Sequence, residues 1–335
     1  MDAQQRRLLD KFTKELGKDI VAALEDDTII EIDLNADGRV WVERLFQEHP
    51  EHYADLSPER AVALIGTIAH SLGEVVNNQQ ARLNGELPHY GCRFSGHLPP
   101  LVKNPTFSIR KKATKIFTLD EYTDVECISP EQAGIIRAAV ADHKNIVVAG
   151  ATSSGKTTFC NAVIDCISDT YPEERLLILE DTDEIQCHSL NFNKYRSDPT
   201  NGVTMQILLH DMLRNNPTRI IFGETRMGAD ALELLKAWNT GHPGGVCTLH
   251  ADTAFDALQR IEEMIGEVSA TPMKQLVARA VDLVVFMKKE NGKRVVSEIV
   301  EVLGVAGDEQ TGFNYKTKHI DGNASNKKLD QIHAV

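Results

Sequence analysis

The chain has 335 residues, 42% hydrophobic and 25% charged, an ordinary globular composition with room for two compact cores. A formal charge of −13 excludes a protein that coats nucleic acid non-specifically, a task that needs a net basic face, although a local basic pore lining stays compatible with it. The six cysteines, Cys92, Cys127, Cys160, Cys166, Cys187 and Cys247, form no Cys-x-x-Cys pair; neither a zinc ribbon nor a disulfide framework is expected, only buried or incidental thiols in a reducing cytoplasm.

In chain order, residues 1–18 are charged throughout and lack the apolar core of a signal peptide. The longest apolar runs, such as 146–149 and 283–287, fall far short of the roughly 20 residues that span a bilayer, so any membrane association is expected to be peripheral. The first third predicts a small α+β unit. It opens with a charged helix over 4–24, followed by extended runs at 28–34 and 39–43 around the turn residues Asn35, Ala36, Asp37 and Gly38. Ser57 and Pro58 start a helix in which Val62, Leu64, Ile65, Ile68, Leu72, Val75 and Val76 recur at helical spacing, predicting a face packed on strands. The stretch 83–104, rich in Gly, Pro and His, reads as strands joined by turns. A basic segment, 110–115, precedes 117–125, where the pattern weakens. The boundary is placed near 122–128, giving an N-terminal α+β domain with linker over 1–125 and a second domain over 126–335.

From there short apolar strands alternate with amphipathic helices, the signature of an α/β domain with a mostly parallel sheet. Strands are expected at 145–149, 176–179, 219–222, 245–249 and 283–287. Helices are expected from Ser129 and Pro130, and over 156–167, 204–213, 229–238 and 254–265; the polar tail after Asn323 is expected to fray.

Gly150, Ala151, Thr152, Ser153, Ser154, Gly155, Lys156 and Thr157 match G-x-x-x-x-G-K-S/T directly after an expected strand and at the start of an expected helix. Glycines let the backbone wrap a phosphate, exposed N–H groups and the helix N-terminus supply positive potential, Lys156 reaches the terminal phosphates and the Thr157 hydroxyl binds Mg2+. With Thr158, this loop is the expected nucleotide-binding set, and ATP and Mg2+ are the expected cofactors. The fold class is therefore α/β, a P-loop NTPase domain with a smaller N-terminal α+β domain. Hydrolysis also needs carboxylates at neighbouring strand ends. Glu180, Asp181 and Glu184 follow the second strand and Glu224 follows the third, so Thr157, Glu224 and Asp181 form the candidate metal set. For each acid the alternative is a solvated loop charge.

His242 and His250 bracket the strand 245–249; no third ligand has metal spacing, and His250, at the strand's C-terminal end, is the better functional candidate. A guanidinium that neutralises charge on a transferred phosphoryl group is sought among Arg82, Arg93, Arg110, Arg196, Arg214 and Arg226. Arg110 and Arg226 stand out, the others reading as surface ion pairs.

Taken together, these residues make the chain resemble the secretion ATPases of type IV secretion and conjugation machines, most closely the TrbB-like conjugal-transfer ATPases. The resemblance runs through 30–44, 105–111, the phosphate loop, 179–184, 222–226 and the tryptophan-containing stretch 234–245. It implies a RecA-like ATPase domain, a homohexameric ring on the cytoplasmic face of the inner membrane, and nucleotide held between the two domains of each subunit. The ring would power pilus assembly and transfer of DNA or protein alongside other components of the apparatus; direct nucleic-acid contact stays undecided. It further implies Glu180 as the water-orienting carboxylate, Glu224 as the Walker B acid, His250 as the coupler of nucleotide state to motion, and Arg110 as an arginine closing over the nucleotide. Ala151 and Ser153 depart from the family by standing where glycine is usual, and Thr218 by replacing an acid before the third strand. The alternatives are a nucleotide-binding scaffold with negligible turnover, or a pilus or type II secretion motor, whose cysteine insert is absent here.

Overall fold

The computed structural model describes residues 3–45, 47–87, 89–112, 115–198, 201–308 and 312–320, so part of the basic segment and the tail after Asn323 lie outside the described residues. The chain divides into two units, Met1–Lys115 with Asn291–Lys293, and Ile116–Glu290 with Arg294–Val335.

In the first unit, α1 (Ala3–Glu25) is interrupted where one helix was expected, because Gly17 takes φ 79 and ψ 161. The Arg60 guanidinium donates to the Glu15 carbonyl at 3.2 Å, so the break is capped from the next helix. The hairpin β1 (Ile29–Leu34) to β2 (Arg39–Arg44) closes on its predicted turn: Gly38 N–H donates to Asn35 O at 3.0 Å, and Arg39 N–H to Asp37 Oδ1 at 3.0 Å. Then come β3 (Glu51–Asp55) and α2 (Pro58–Ser71), whose N-cap Ser57 accepts from Arg60 N–H. α2 ends earlier than its apolar spacing suggested. Leu72 and Gly73 N–H donate to Ala69 and His70 carbonyls, which leaves Val75 beyond the helix, while Val62 lies on its exposed side. β4 (Arg82–Glu86), β5 (Arg93–His97) and β6 (Thr106–Arg110) complete an antiparallel sheet ordered β3-β2-β1-β6-β5-β4. Its core joins Phe12, Leu16 and Ile20 of α1 to Leu64, Ile65 and Ile68 of α2 and Ile32, Val40 and Phe94 of the strands.

The second unit begins ten residues before the placed boundary, with α3 (Leu119–Asp124). Leu119 and Tyr122 are buried, Tyr122 edge-on to Phe159 at 5.1 Å, so apolar burial ties this segment to the second core. A capping box of Ser129 and Gln132 starts α4 (Pro130–Ala141). The rest is β7 (Ile146–Gly150), α5 (Lys156–Thr170), β8 (Leu176–Glu180), β9 (Phe192–Arg196), α6 (Met205–Leu213), β10 (Arg219–Thr225) and α7 (Gly228–Asn239), followed by β11 (Val246–His250), α8 (Ala254–Gly266), α9 (Lys274–Ala280), β12 (Leu283–Glu290), β13 (Lys293–Asp308) and β14 (Gly312–His319). The sheet order is β14-β13-β12-β7-β11-β10-β8-β9, and from β12 to β9 every pairing is parallel. Both faces are covered, which is why these strands are near-continuous apolar runs. Val147, Leu177, Leu179, Ile220, Phe222 and Leu249 face one core with α7 and α8; Ile146, Val148, Ile178, Ile221 and Val246 face the other with α4 and α5.

Candidate active site

β7 delivers the phosphate loop at the C-terminal edge of the parallel sheet. A Cβ on Gly150 would lie 2.3 Å from Met287 O on β12, so only glycine fits where the loop leaves the strand. Ser153 and Gly155 both have positive φ, 59 and 90. Ser153 therefore bears a strain of order 1 kcal/mol that glycine would avoid, which gives the departure from a glycine-rich loop its physical meaning. Arg294 of β13 holds that strained residue: its Nε donates to Ser153 O at 3.1 Å.

Gly155 is the N-cap of α5 and carries no capping side chain, so the first N–H groups of α5 remain donors suited to an anion. Ser154 Oγ, in a residue only 2% exposed, has no hydrogen-bond partner among the described residues. An orphaned buried hydroxyl and an uncapped helix start fit a phosphate group. Lys156 is buried; its Nζ donates to Ala151 O at 2.8 Å and lies 3.5 Å from His250 Nδ1. Thr157 and Thr158 are half-buried in the first turn of α5, while Ala151 and Thr152 are exposed.

The acids stand at the ends of β8 and β10, beside this loop. His250, at the end of β11, places Nε2 2.8 Å from Glu224 Oε1. Nδ1 faces the Lys156 ammonium and Nε2 faces Glu224 Oε1, an ion-pair approach to an oxygen that has no aligned hydrogen-bond donor among the described residues. The other Glu224 oxygen accepts from Arg226 through Nε at 2.9 Å and through Nη2, and Arg226 Nη1 reaches Asp181 Oδ2 at 2.6 Å. Lys156, His250, Glu224, Arg226 and Asp181 thus form one continuous polar chain across the sheet edge. A bulge between Phe222 and Glu224 sets its middle, held by Thr248 Oγ1 donating to Gly223 O at 2.6 Å.

Glu180 is arranged differently. It is 2% exposed; Glu184 and Ile185 N–H donate to its Oε2, each at 2.9 Å, and Lys194 Nζ lies 2.7 Å from Oε1. Burial pushes the Glu180 carboxyl above its ordinary range, against the pull of those three donors. A Cβ on Gly223 would stand 3.0 Å from Glu180 Cβ, so glycine there lets the two acidic loops close up.

The structure therefore brings together Lys156, Asp181, Glu224, Arg226 and His250. Glu184 lies in the same segment and Arg196 Nε donates to Asp181 O at 3.3 Å, at the site's edge. His242 is elsewhere, its Nδ1 3.1 Å from Pro217 O before β10. Arg214 caps α6; Arg82, Arg93 and Arg110 belong to the first unit, with Arg93 and Arg110 in register on β5 and β6. Thr218 Oγ1 accepts from Arg175 N–H at 3.1 Å, a structural use for that substitution. Sequence reasoning passed over Lys194, Arg294 and Asn161. The first sits on the polar strand β9, which carries no apolar alternation, and Arg294 opens a strand distant in sequence from any motif.

Among the described residues no group of three or more His, Cys, Asp or Glu could hold a metal ion.

Sheet, phosphate loop and acid-tipped strands define a P-loop NTPase of RecA-like fold. The chain matches the family described as Type II/IV secretion system protein over residues 72–302, and it belongs to that family. It is 42% identical over 313 residues to the conjugal transfer protein TrbB of Rhizobium radiobacter, covering 93% of this chain and 94% of that protein. To the probable conjugal transfer protein TrbB of Sinorhizobium fredii it is 44% identical over 296 residues, covering 88% and 90%. The X-ray structure of the Legionella pneumophila ATPase DotB matches with a TM-score of 0.56 at 15% identity, covering 92% of this chain and 81% of that one, a likeness of fold. Among the described residues no helix is long and apolar enough to cross a membrane.

Proposed function

We propose that the chain is an Mg2+-dependent ATPase acting as a homohexameric motor of a conjugation or type IV secretion apparatus, at the cytoplasmic face of the inner membrane, where it powers pilus assembly and transfer of DNA or protein. The observation that carries this reading is the polar chain from Lys156 through His250 and Glu224 to Arg226 and Asp181, which ends on the phosphate loop. The relatives' role in conjugal transfer supports the setting.

In this reading the loop 150–158 binds the phosphates of ATP, and Arg110 is carried as a further nucleotide-contacting residue on the sequence resemblance. Thr157, Glu224 and Asp181 would hold Mg2+, which when bound supplies charge neutralisation at the phosphates. Lys156 exchanges the Ala151 carbonyl for a terminal phosphate. His250 sits between Lys156 and Glu224, so that exchange changes the donor facing the Glu224 carboxylate and carries phosphate occupancy to the neighbouring strand. Arg226 occupies Glu224 and Asp181 with positive charge and must turn away before either acid takes up another cation; once freed it can face developing negative charge. Glu180 spends three of about four lone-pair sites on Lys194, Glu184 and Ile185, which fixes the plane of the carboxylate and leaves an acceptor site for the attacking water.

The test is steady-state ATP hydrolysis by the purified protein beside Lys156→Ala and Glu224→Gln, with mass by light scattering with and without nucleotide. A ring-sized species whose turnover falls about a hundredfold or more in both variants is expected. A parent that assembles and binds ATP yet turns over no faster than its variants sinks the motor reading and leaves a nucleotide-bound scaffold.

A further inference from the structure

The acidic segment between β8 and β9 packs three carboxylates, Glu180, Asp181 and Asp183, into four residues and then Glu184. Such a run repels itself and by its own chemistry would lie open to water. Here it is folded tightly, and the groups that fold it are on the page. Glu180 reaches forward to the N–H groups of Glu184 and Ile185. Asn161, 1% exposed on α5, donates through Nδ2 to Glu184 O at 3.3 Å and accepts at Oδ1 from Gln186 N–H at 3.0 Å.

Arg226 meets this segment at Asp181, and the cation on its Glu180 side is Lys194. In the parallel register of β8 and β9 it pairs with Ile178, so it shares the sheet face of Ile178 and of Glu180, two residues on. From there Nζ meets Glu180 Oε1 at 2.7 Å, donates to Ile185 O at 2.7 Å and bonds Asp183 Oδ1. One ammonium thus uses its three hydrogens on the carboxylate at the start of the turn, the carbonyl near its end and an acid between them. Burial draws the Lys194 ammonium down, but its bonds to Asp183 and Glu180 outweigh that and hold it above its ordinary range, so it is charged.

Resting on the ATPase reading above, we propose that Lys194 is a positioning residue for hydrolysis. It acts through Glu180, fixing the carboxylate that orients water and, through the turn, presenting Asp181 to Arg226. Lys194 itself touches neither phosphate nor water in this role; what it controls is the direction of the Glu180 carboxylate.

The experiment uses the full chain as parent, Lys194→Met, Lys194→Arg, Glu180→Gln and the Lys194→Met/Glu180→Gln double variant. Steady-state turnover is measured over a range of ATP concentrations, and amide hydrogen exchange at Glu184 and Ile185 without nucleotide. Lys194→Met is expected to lower kcat by about ten- to a hundredfold with KM within about twofold, the scale of a misplaced catalytic group. Lys194→Arg, which keeps the charge, is expected to recover most of the loss. Added to Glu180→Gln, Lys194→Met is expected to change kcat no further, because Lys194 works through that carboxylate. Exchange at Glu184 and Ile185 is expected to quicken in Lys194→Met while the α5 and β7 amides hold. Additive losses in the double variant, or unchanged exchange at those two amides, would overturn the inference. A parent with no turnover fails the ATPase reading instead, and the inference with it; the exchange data then show separately whether Lys194 holds the turn.

Discussion

Among the described residues Arg219 is the largest side chain buried without any exposure, and nothing in the sequence around it marks that charge for burial. Its guanidinium donates to Glu174 Oε2 at 2.5 Å, to Gly244 O at 3.1 Å and to Val140 O at 3.3 Å, and lies over the Tyr171 ring at 4.9 Å. Glu174 in turn meets His143 Nε2 at 2.7 Å. This cluster sits where β10 begins and β11 is about to begin, the opposite end of the sheet from the phosphate loop. Each guanidinium nitrogen has an acceptor, so the net contribution of the cluster is modest, but removing one partner exposes the cost of burying the other. Arg219→Met is expected to destabilise by about 3 kcal/mol, the lower end for a broken buried pair because Glu174 keeps His143. A urea midpoint shifted by less than the equivalent of about 1 kcal/mol would show that the cluster is not an energetic anchor.

At the scale of elements, the hairpin of the first unit has an electrostatic lock that the sequence does not announce. Arg44 on β2 joins Asp26 Oδ2 at 2.6 Å and Glu51 Oε1 at 2.7 Å, while Thr28 N–H and Oγ1 donate to Asp26 Oδ1. Hydrogen bonds from Arg44 and Thr28 hold the Asp26 carboxyl at about 2, below its ordinary 3.8. A folded value below the unfolded one means stabilisation that is complete above the ordinary value and disappears as pH falls through the interval toward 2. Asp26→Asn is therefore expected to lower the unfolding temperature at pH 6 and to converge on the parent as pH falls below 2; a gap independent of pH would refute the lock.

The same scale separates what could be read in advance from what could not. β7, β8, β10, β11 and β12 are buried on both faces, so their apolar runs advertised them, and the phosphate loop fell where strand met helix. β9 and β3 are half-exposed edge strands whose residues, such as Asn193, Lys194 and Arg196, carry no alternation, and β13 and β14 form an antiparallel pair at the far edge of the sheet. The site divided likewise. Lys156 opens α5 within the loop motif and Glu224 and His250 lie at strand ends, so all three could be picked out as candidates in the sequence, whereas Lys194 and Arg294 enter from distant strands and only three dimensions bring them in.

For the whole molecule, the two units have separate cores, and the candidate nucleotide groups in loop 150–158 belong to the second. A ligand that binds only the folded state stabilises it by RT ln(1 + [L]/Kd), about 2.7 kcal/mol at a hundredfold excess over Kd. A non-hydrolysable ATP analogue with Mg2+ is expected to raise the unfolding temperature of the parent and to leave Lys156→Ala unchanged in calorimetry. Equal shifts in both proteins would place nucleotide binding elsewhere.

Asn161 gives α5 a second role. The helix begins at Lys156 and grips the acidic segment five residues later, about 7–8 Å along its axis at 1.5 Å per residue. A helix is stiff over that length, so it behaves as a short rod with the phosphate loop at one end and the acidic turn clamped to its flank. Under the proposed ATPase role, a displacement of the phosphate loop would therefore be passed along the helix to 184–186, the backbone whose N–H groups hold the Glu180 carboxylate.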